Sequence, residues 1–535
     1  MKQTLDSSRS AASLSPWSPL KHGLFRGLWL ASIASNIGTW MHEVGAGWLM
    51  TSLSASPMTV ALVQVAAAAP MFFLALPAGA LADIVDKRRY LLLVQGWMAS
   101  VAMLLAFLTL SGLMTVPLLL LLTLAMGIGT ALMMPAWSAL TPELVPAGEL
   151  PAAIALSSVG TNVARAVGPA IAGVLVSLAG PWATFAVNAL SFFAVIAVLA
   201  CWRREPKVAV LPAERLFSAI RVGWRYARSS QPLQRVLIRT LAFFFGASAG
   251  MSLLPLIVRG ELQGSATQFG VLLGSVGLGA VLGAMLLPRL RQHLAVDRLV
   301  ALASVIYALV LFALAWLRDF YLLIPVMLIS GGAWIAVLSS FQVAAQTSVP
   351  AWVRARALAV YILMFFGSMA LGGLLWGWVA SLLSMSVALS VAAAVLLAGV
   401  GLTWRVGLPQ RSAEDLAPSL HWPQPLLSDD QDLERGPVMI RLEYDIAPEH
   451  AQAFQQAMNP VRRMRQRNGS FSWCLLQDSE NPRLWCEMFF DESWVGHLRH
   501  HERVTRAELK IEAAARRFQS DGVKIRIRHF LKGQG

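Results

Sequence analysis

A chain of 535 residues that is 56% hydrophobic and only 13% charged has too little polar surface to cover itself in water, which excludes an ordinary soluble globular protein. The formal net charge of +14 reads as membrane topology and contact with anionic inner-leaflet lipid, and no stacking-aromatic motif accompanies it that would point to nucleic acid. Cys201, Cys474 and Cys486 show no zinc-ligand spacing and read as packed thiols of a reducing compartment. No metal and no cofactor is expected.

The N-terminal tail, 1–23, contains "MKQTLDSSRSAASLSPWSP", which lacks the apolar core of a cleavable signal, so the first helix is expected to be an uncleaved anchor. Apolar runs long enough to cross a bilayer then recur as far as residue 404 and stop. Twelve candidate spans follow in order: about 24–52, 57–80, 90–112, 115–140, 153–179, 181–202, 234–258, 267–288, 298–317, 320–346, 357–380 and 384–404. The fifth and sixth are the least clearly separated.

Basic residues fall on alternate loops: Lys2, Arg9, Lys21 and Arg26, then Lys87 to Arg89, a group from Arg203 to Arg235, then Arg289 to Arg298, Arg354, Arg356 and Arg405, against only Arg259 and Arg318 on the opposite side. That bias, with an even helix count, places both termini in the cytoplasm. The segment 203–233 divides a first six-helix bundle, 24–202, from a second, 234–404. Within it Leu216, Phe217, Ile220 and Trp224 fall at helical spacing with Arg215, Arg221, Arg225 and Arg228 largely on other faces, the pattern of an amphipathic helix on the inner leaflet; a plain linker is the alternative. "VPAGELPAAIAL" at 145–156 and "VPAWVRARALAV" at 349–360 lead into helices carrying Gly168 and Gly173, and Gly372 and Gly377. The constant offset predicts two structural repeats around a central site.

"GALADIVDKRR" between the second and third spans resembles the signature loop of the major facilitator superfamily. Gly79, Leu81, Ala82, Asp83, Lys87 and Arg88 match, and Asp86 stands where the family usually has glycine. With the twelve spans the resemblance covers about three-quarters of the chain. It implies a conformational latch of Gly79, Asp83, Lys87 and Arg88, in which Gly79 permits close backbone approach, Asp83 meets the N-terminal end of the eleventh helix near Arg356, and the basic trio stays among the headgroups. Simple positive-inside charge would explain Lys87 to Arg89 but not Asp83. In "GTNVARAVGPAIAG" the ladder Gly160, Ala164, Gly168 and Ala172 marks a packing face continued by Gly173, and Pro169 is expected to break the backbone register. With "FRGLWLASIASNIGTWMHEVGAGWLMTSLS" in the first span, this string resembles the group of enterobactin exporters and transmembrane secretion effectors.

Intramembrane polar groups are costly and mark function. Asn36, Thr39, Trp40 and Glu43 share a face of the first span, and Arg165 lies about 18 Å along the fifth, near Asn162. Asn36, Trp40, Glu43, Asn162 and Arg165 are therefore the expected substrate and proton cavity, with structural or interfacial roles as the alternatives for Arg165 and Glu43. His42 reads as a hydrogen-bonded packing residue.

Beyond a Pro-, Ser- and Asp-rich linker, 405–436, the region 437–535 changes character. "VMIRLEYDI", "FSWCLLQD", "LWCEMFFD" and "VKIRIRHFL" read as strands and the intervening segments as helices, the β-α-β-β-α-β order of a ferredoxin-like domain. It resembles the small α+β modules of antibiotic-biosynthesis monooxygenases. Its reactive-looking cluster is His497, His500 and His501 with Trp473, Trp485 and Trp494, expected on a charged solvated or dimer-facing surface, and an exposed strand edge invites homodimer formation. The fold class is thus an all-α membrane protein of twelve transmembrane helices in two six-helix repeats, plus a small C-terminal α+β ferredoxin-like domain. The function expected is export of small molecules coupled to protons, without enzymatic activity. An importer of the same fold, a fused monooxygenase-like enzyme and a non-transporting sensor are the alternatives.

Overall fold

The computed structural model describes residues 15–202, 216–409, 413–419, 421–422, 435–520 and 522–532. Lys2, Arg9, Arg203, Arg204, Lys207, Arg215 and much of the linker lie outside these residues, as do the side chains of Ala82, Asp83, Leu216, Phe217, Ile220 and Arg221.

Six long helices precede residue 202: α1 (Gly23–Leu53), α2 (Pro57–Ile84), α3 (Lys87–Leu110), α4 (Val116–Leu144), α5 (Leu150–Ala179) and α6 (Pro181–Cys201). Gly180 separates α5 from α6 by taking φ +96°, a conformation that L side chains disfavour, while its N–H closes α5 on the Val176 carbonyl. A short helix, α7 (Leu216–Ser229), leads to α8 (Gln231–Leu256), which widens into a π-turn over Ile257–Glu261. Then come α9 (Ala266–His293), α10 (Val296–Trp316), α11 (Phe320–Thr347), α12 (Arg354–Leu382) and α13 (Met385–Thr403). Eleven of these are long and apolar enough to cross a membrane; α1 is not among the eleven. The reason lies in its composition, since Asn36, His42 and Glu43 share the helix with four glycines after residue 26.

Several expectations change. The signature segment is not a free loop: α2 runs through Asp83 to Ile84, and Asp86 caps α3 by accepting from the Arg89 N–H at 2.9 Å. Among the described residues nothing lies within 4 Å of a Cβ built on Gly79. α5 passes over Pro169 without interruption.

Two compact units emerge. One comprises the described parts of Met1–Ala213, Arg239–Ser340 and Ile362–Arg405; the other comprises those of Glu214–Ile238, Phe341–Tyr361 and Val406–Gly535. In the second unit α14 (Ala413–Leu416) precedes β1 (Val438–Asp445), α15 (Ala451–Asn468), β2 (Phe471–Gln477), β3 (Leu484–Asp491), α16 (Trp494–Arg503), α17 (Arg506–Arg516) and β4 (Arg526–Leu531). The strands form one antiparallel sheet of order β2-β3-β1-β4. The β1 residues Val438, Ile440, Leu442 and Tyr444 alternate inward and pack with Phe454, Met458, Val461 and Met464 of α15, as period-2 and period-3.6 faces meeting across one core should. The single long helix expected after residue 493 is two, because Thr505 starts α17 with a capping box to Glu508. Residues assigned to the linker also belong to this module: Pro418 bridges Thr505, and His421 and Trp422 both meet Glu512.

The expected leaflet helix α7 packs on α15, with Tyr226 buried and Arg225 donating to the Gly469 carbonyl at 2.8 Å. Trp224 remains 59% exposed, so only part of its surface faces away from protein.

Candidate substrate site

α1 packs against α5 and α6, and the small-residue ladder explains how closely. A Cβ on Gly160 would lie 2.8 Å from Ile33, and one on Gly168 would lie 2.7 Å from the Trp40 Cβ. α5 uses its other glycine against the second half: a Cβ on Gly173 would stand 2.6 Å from the Ala266 carbonyl oxygen of α9. The second half repeats the scheme. Gly372, 204 positions after Gly168, faces Phe245 and Ser248 of α8, while Gly377, 204 positions after Gly173, faces Pro57, Met58 and Ala61 of α2. The contacted partners correspond at an offset of their own, one helical turn longer: Trp40 answers to Ser248 and Ile37 to Phe245, both 208 positions on. Two halves packed by equivalent contacts are what a six-plus-six repeat requires.

This packing places Arg165 beside α1. Its guanidinium lies 5.6 Å from the centre of the Trp40 ring, and its Nε is buried with no hydrogen-bond partner among the described residues. Glu43 is water-accessible although protein surrounds it, as for a side chain on the wall of an internal space. Its charge and that of Arg165 act on one another, while the two stand apart from ion-pair contact. Asn36 and Trp40 are half-buried on the same helix. Asn162 turns its amide back to the Ser158 carbonyl at 2.9 Å, which leaves Oδ1 as its polar offering. His42 is a correction: both ring nitrogens are buried without hydrogen-bond partners among the described residues, and the ring packs edge-on against Phe185 at 5.0 Å. The repeat offset puts Met369 and Phe366 where the first half has Arg165 and Asn162, so the charge of this site comes from one half only.

The signature segment ties together its own half. Lys87 pairs with Glu143 of α4 at 2.7 Å, and Arg88 donates to the Leu199 and Ala200 carbonyls at the end of α6, at 2.9 and 2.7 Å. These two cations are held by protein groups. Helix-end carbonyls carry partial negative charge, which suits a guanidinium. At the other end of the bundle, Arg259 lies 5.3 Å over Trp48 and donates to Thr51 Oγ1 at 3.1 Å, and Trp48 stacks on Phe269 of α9. Arg318 pairs with Glu261 at 3.0 Å. Sequence periodicity gives no sign of these contacts, because each joins residues far apart in the chain.

In the C-terminal module, His497 and His500 are buried, 1% and 0% exposed, and do not form the solvated surface expected of them. Asp491 accepts from Ser470 Oγ at 2.6 Å and pairs with the Nδ1 atoms of His497 at 2.8 Å and His500 at 3.3 Å. Burial alone would raise its carboxyl, but His500 and the two imidazole hydrogen bonds hold it well below the usual carboxylate range. Burial, then neighbouring His497, lowers His529 to about 4; burial, followed by His497, His500 and His529, lowers His501 to about 3. Trp473 and Trp485 stand elsewhere: Trp473 donates to Glu487 at 3.0 Å and Trp485 lies in the core against Phe454.

A twofold-repeated bundle of long apolar helices, with a charged site enclosed between its first and fifth members, defines a multi-pass membrane transporter of small molecules. The chain belongs to the transmembrane secretion effector family of the major facilitator type, whose match runs over residues 14–534. It is 25% identical over 343 residues to the staphyloferrin A transporter of Staphylococcus aureus, covering 63% of this chain and 85% of that one. It is 24% identical over 262 residues to the MFS-type transporter YfiS of Bacillus subtilis, covering 48% of this chain and 62% of that protein. Among solved structures, the nucleoside transporter NupG superposes with a TM-score of 0.59 at 13% identity, over 72% of this chain and 99% of that one. A bacterial homologue of the iron transporter ferroportin, in an inward-facing state, gives 0.57 at 16% identity over 72% and 97%. These likenesses show the fold. Family and structural neighbours alike are transporters, not enzymes.

Proposed function

We propose that this protein exports siderophore-like, drug-like or amphipathic small molecules from the cytoplasm by alternating access, driven by the proton gradient. The observation that carries this reading is Arg165 over Trp40, in electrostatic reach of the water-accessible Glu43. A cation stacked on an aromatic ring can hold an anionic or amphipathic substrate, and a neighbouring carboxylate can exchange that cation for a proton. Staphyloferrin A, named for the curated relative, is the first substrate to test.

α1 is counted as the twelfth span, since 31 residues make a helix about 46 Å long and its polar face belongs to the internal site. The basic-residue bias places both termini in the cytoplasm of a bacterial inner membrane, against anionic inner-leaflet lipid. The Arg259 and Thr51 end is then the outer one, and its contacts close the site on that side. Gly79, Asp83, Lys87 and Arg88 form the segment through which the opposite closure is made, and 437–535 is a ferredoxin-like module through which a second copy pairs.

Everted membrane vesicles test the reading. Under an imposed pH gradient they should accumulate staphyloferrin A; Arg165→Ala should lower the initial rate at least tenfold at equal membrane abundance, and Glu43→Gln should abolish accumulation while leaving substrate exchange. Accumulation only in right-side-out vesicles would make the protein an importer. Undiminished concentrative uptake by Glu43→Gln would move the proton to another group.

A further inference from the structure

The second unit contains a constellation that transport of a substrate through the bundle does not use. α16 is capped by Ser493, whose side chain accepts from the Gly496 N–H at 3.1 Å. Residues four apart share a helix face, so His497 and His501 project together. β4 supplies His529, opposite Ile440 of β1.

The atoms matter more than the proximity. Asp491 Oδ2 engages His497 Nδ1 at 2.8 Å, and an ionised carboxylate only accepts, so Nδ1 carries the hydrogen and Nε2 presents a lone pair. That lone pair points at His501 Nε2, 3.1 Å away. A donor nitrogen of His529 joins them, all three lying within 4.8 Å of one another. In a tetrahedral zinc site with nitrogen bonds of about 2.0–2.1 Å, adjacent nitrogens stand about 3.3 Å apart. One edge of the tetrahedron is already near its final length, and the third ligand needs a shift of order 1 Å. His501 Nδ1 is buried without a hydrogen-bond partner among the described residues, so no other acceptor or donor holds that ring in place. Trp494 packs on His497 and His529 with ring centres 5.6 and 5.8 Å apart, and Trp422 packs on His501 at 4.8 Å, an apolar sheath around the nitrogens.

We propose that His497, His501 and His529 bind a divalent transition metal, with Asp491 orienting His497 from behind. Imidazole-only ligation favours zinc and its borderline neighbours over calcium or magnesium, and a carboxylate on the far nitrogen of a ligating imidazole is the usual way such a ring is fixed. Three ligands leave a fourth position, and His501 and His529 are half-buried, so water or a small anion can complete the shell. The overlapping group of Asp491, His497 and His500 is the poorer choice, because a metal there would take both imidazoles from the one carboxylate that orients them, at 2.8 and 3.3 Å, whereas metal between His497 and His501 displaces only the proton that His501 Nε2 shares with His497 Nε2. The proposal is independent of the substrate and direction of transport.

Zinc titration of the full chain, purified in detergent without a polyhistidine tag and stripped with chelator, tests it. Metal retained after desalting should approach one zinc per chain, and cobalt should give the ligand-field bands of a four-coordinate site. His501→Ala and His529→Ala, both on half-buried rings, should each weaken binding at least a hundredfold, Asp491→Asn roughly ten- to a hundredfold, and His500→Gln not at all. Wild-type protein that retains no zinc at micromolar concentrations overturns the proposal. So does unchanged affinity in both His501→Ala and His529→Ala; a loss in His500→Gln equal to theirs assigns the metal to the other group.

Discussion

Arg465 is 1% exposed and carries a full charge, which is tolerable only because Glu487 and Glu512 meet it at 3.1 and 2.6 Å. Tyr444 and Trp473 complete the hydrogen bonding of Glu487 at 2.8 and 3.0 Å. Arg465→Ala would strand two buried carboxylates and should cost about 3–5 kcal/mol, read as faster hydrogen exchange in peptides covering β1 and β3. Arg483→Ala, which removes a solvent-screened pair with Asp445, should leave exchange in the same peptides unchanged within error. The pH dependence follows from Glu512. Burial would raise its carboxyl, but Arg465, the His421 and Trp422 hydrogen bonds and Arg516 hold it below the ordinary 4.5. The unfolded chain therefore binds the extra proton first as pH falls, so the contribution of Glu512 is whole above 4.5 and is lost progressively on acidification below it. Module stability that stays flat from pH 5 to 3 would contradict this.

The transmembrane elements owe their close packing to glycines that can be ranked by what a side chain would strike. Gly173 and Gly377 each face backbone of the opposite half, with carbonyl or Cα atoms at 2.6–3.3 Å from a built Cβ, whereas none of the described residues comes within 4 Å of one on Gly79. Gly173→Val and Gly377→Val should each lower thermal stability in detergent by several degrees and reduce transport; Gly79→Ala should leave stability within error. Equal tolerance at all three would refute the packing argument. Much of this was legible beforehand: the helix order, the repeat offset of 204 positions and the strand order of the module follow from periodicities of 3.6 and 2. What was not legible is equally physical. Histidines at 497 and 501 look solvated among "HLRHHER", and only the arrival of Asp491 and His529 from strands buries their chemistry. The basic signature segment likewise reads as headgroup contact until Glu143 and the end of α6 are brought to it. Hydropathy also passes over α1, because the residues that give it a site are the ones that lower its apolar score.

At the scale of the whole chain, the division into units keeps the sequence boundary at 405 but does not stop there. The second unit takes in α7 and the joint between α11 and α12 along with the C-terminal sheet. Within it Arg503 lies 4.4 Å over Trp352, Tyr226 packs edge-on against the same ring at 5.9 Å, and Arg225 donates to Gly469. A chain ending at Leu408 would therefore lose more than an appendage, since Trp352 and Arg225 would both give up partners. A cation over an aromatic ring is worth about 0.5–2 kcal/mol and a backbone hydrogen bond about 1 kcal/mol, and each kcal/mol moves the midpoint of a domain of 150–250 residues by roughly 2–4 °C. The truncated protein should insert and remain a transporter by fold, but unfold several degrees lower than the full chain, with the excess loss traced by Trp352→Ala and Arg225→Ala in the intact protein. If truncation leaves the midpoint unchanged while those two substitutions lower it, the contacts matter to the module alone; if neither does, the second unit is not held together in the way its geometry requires.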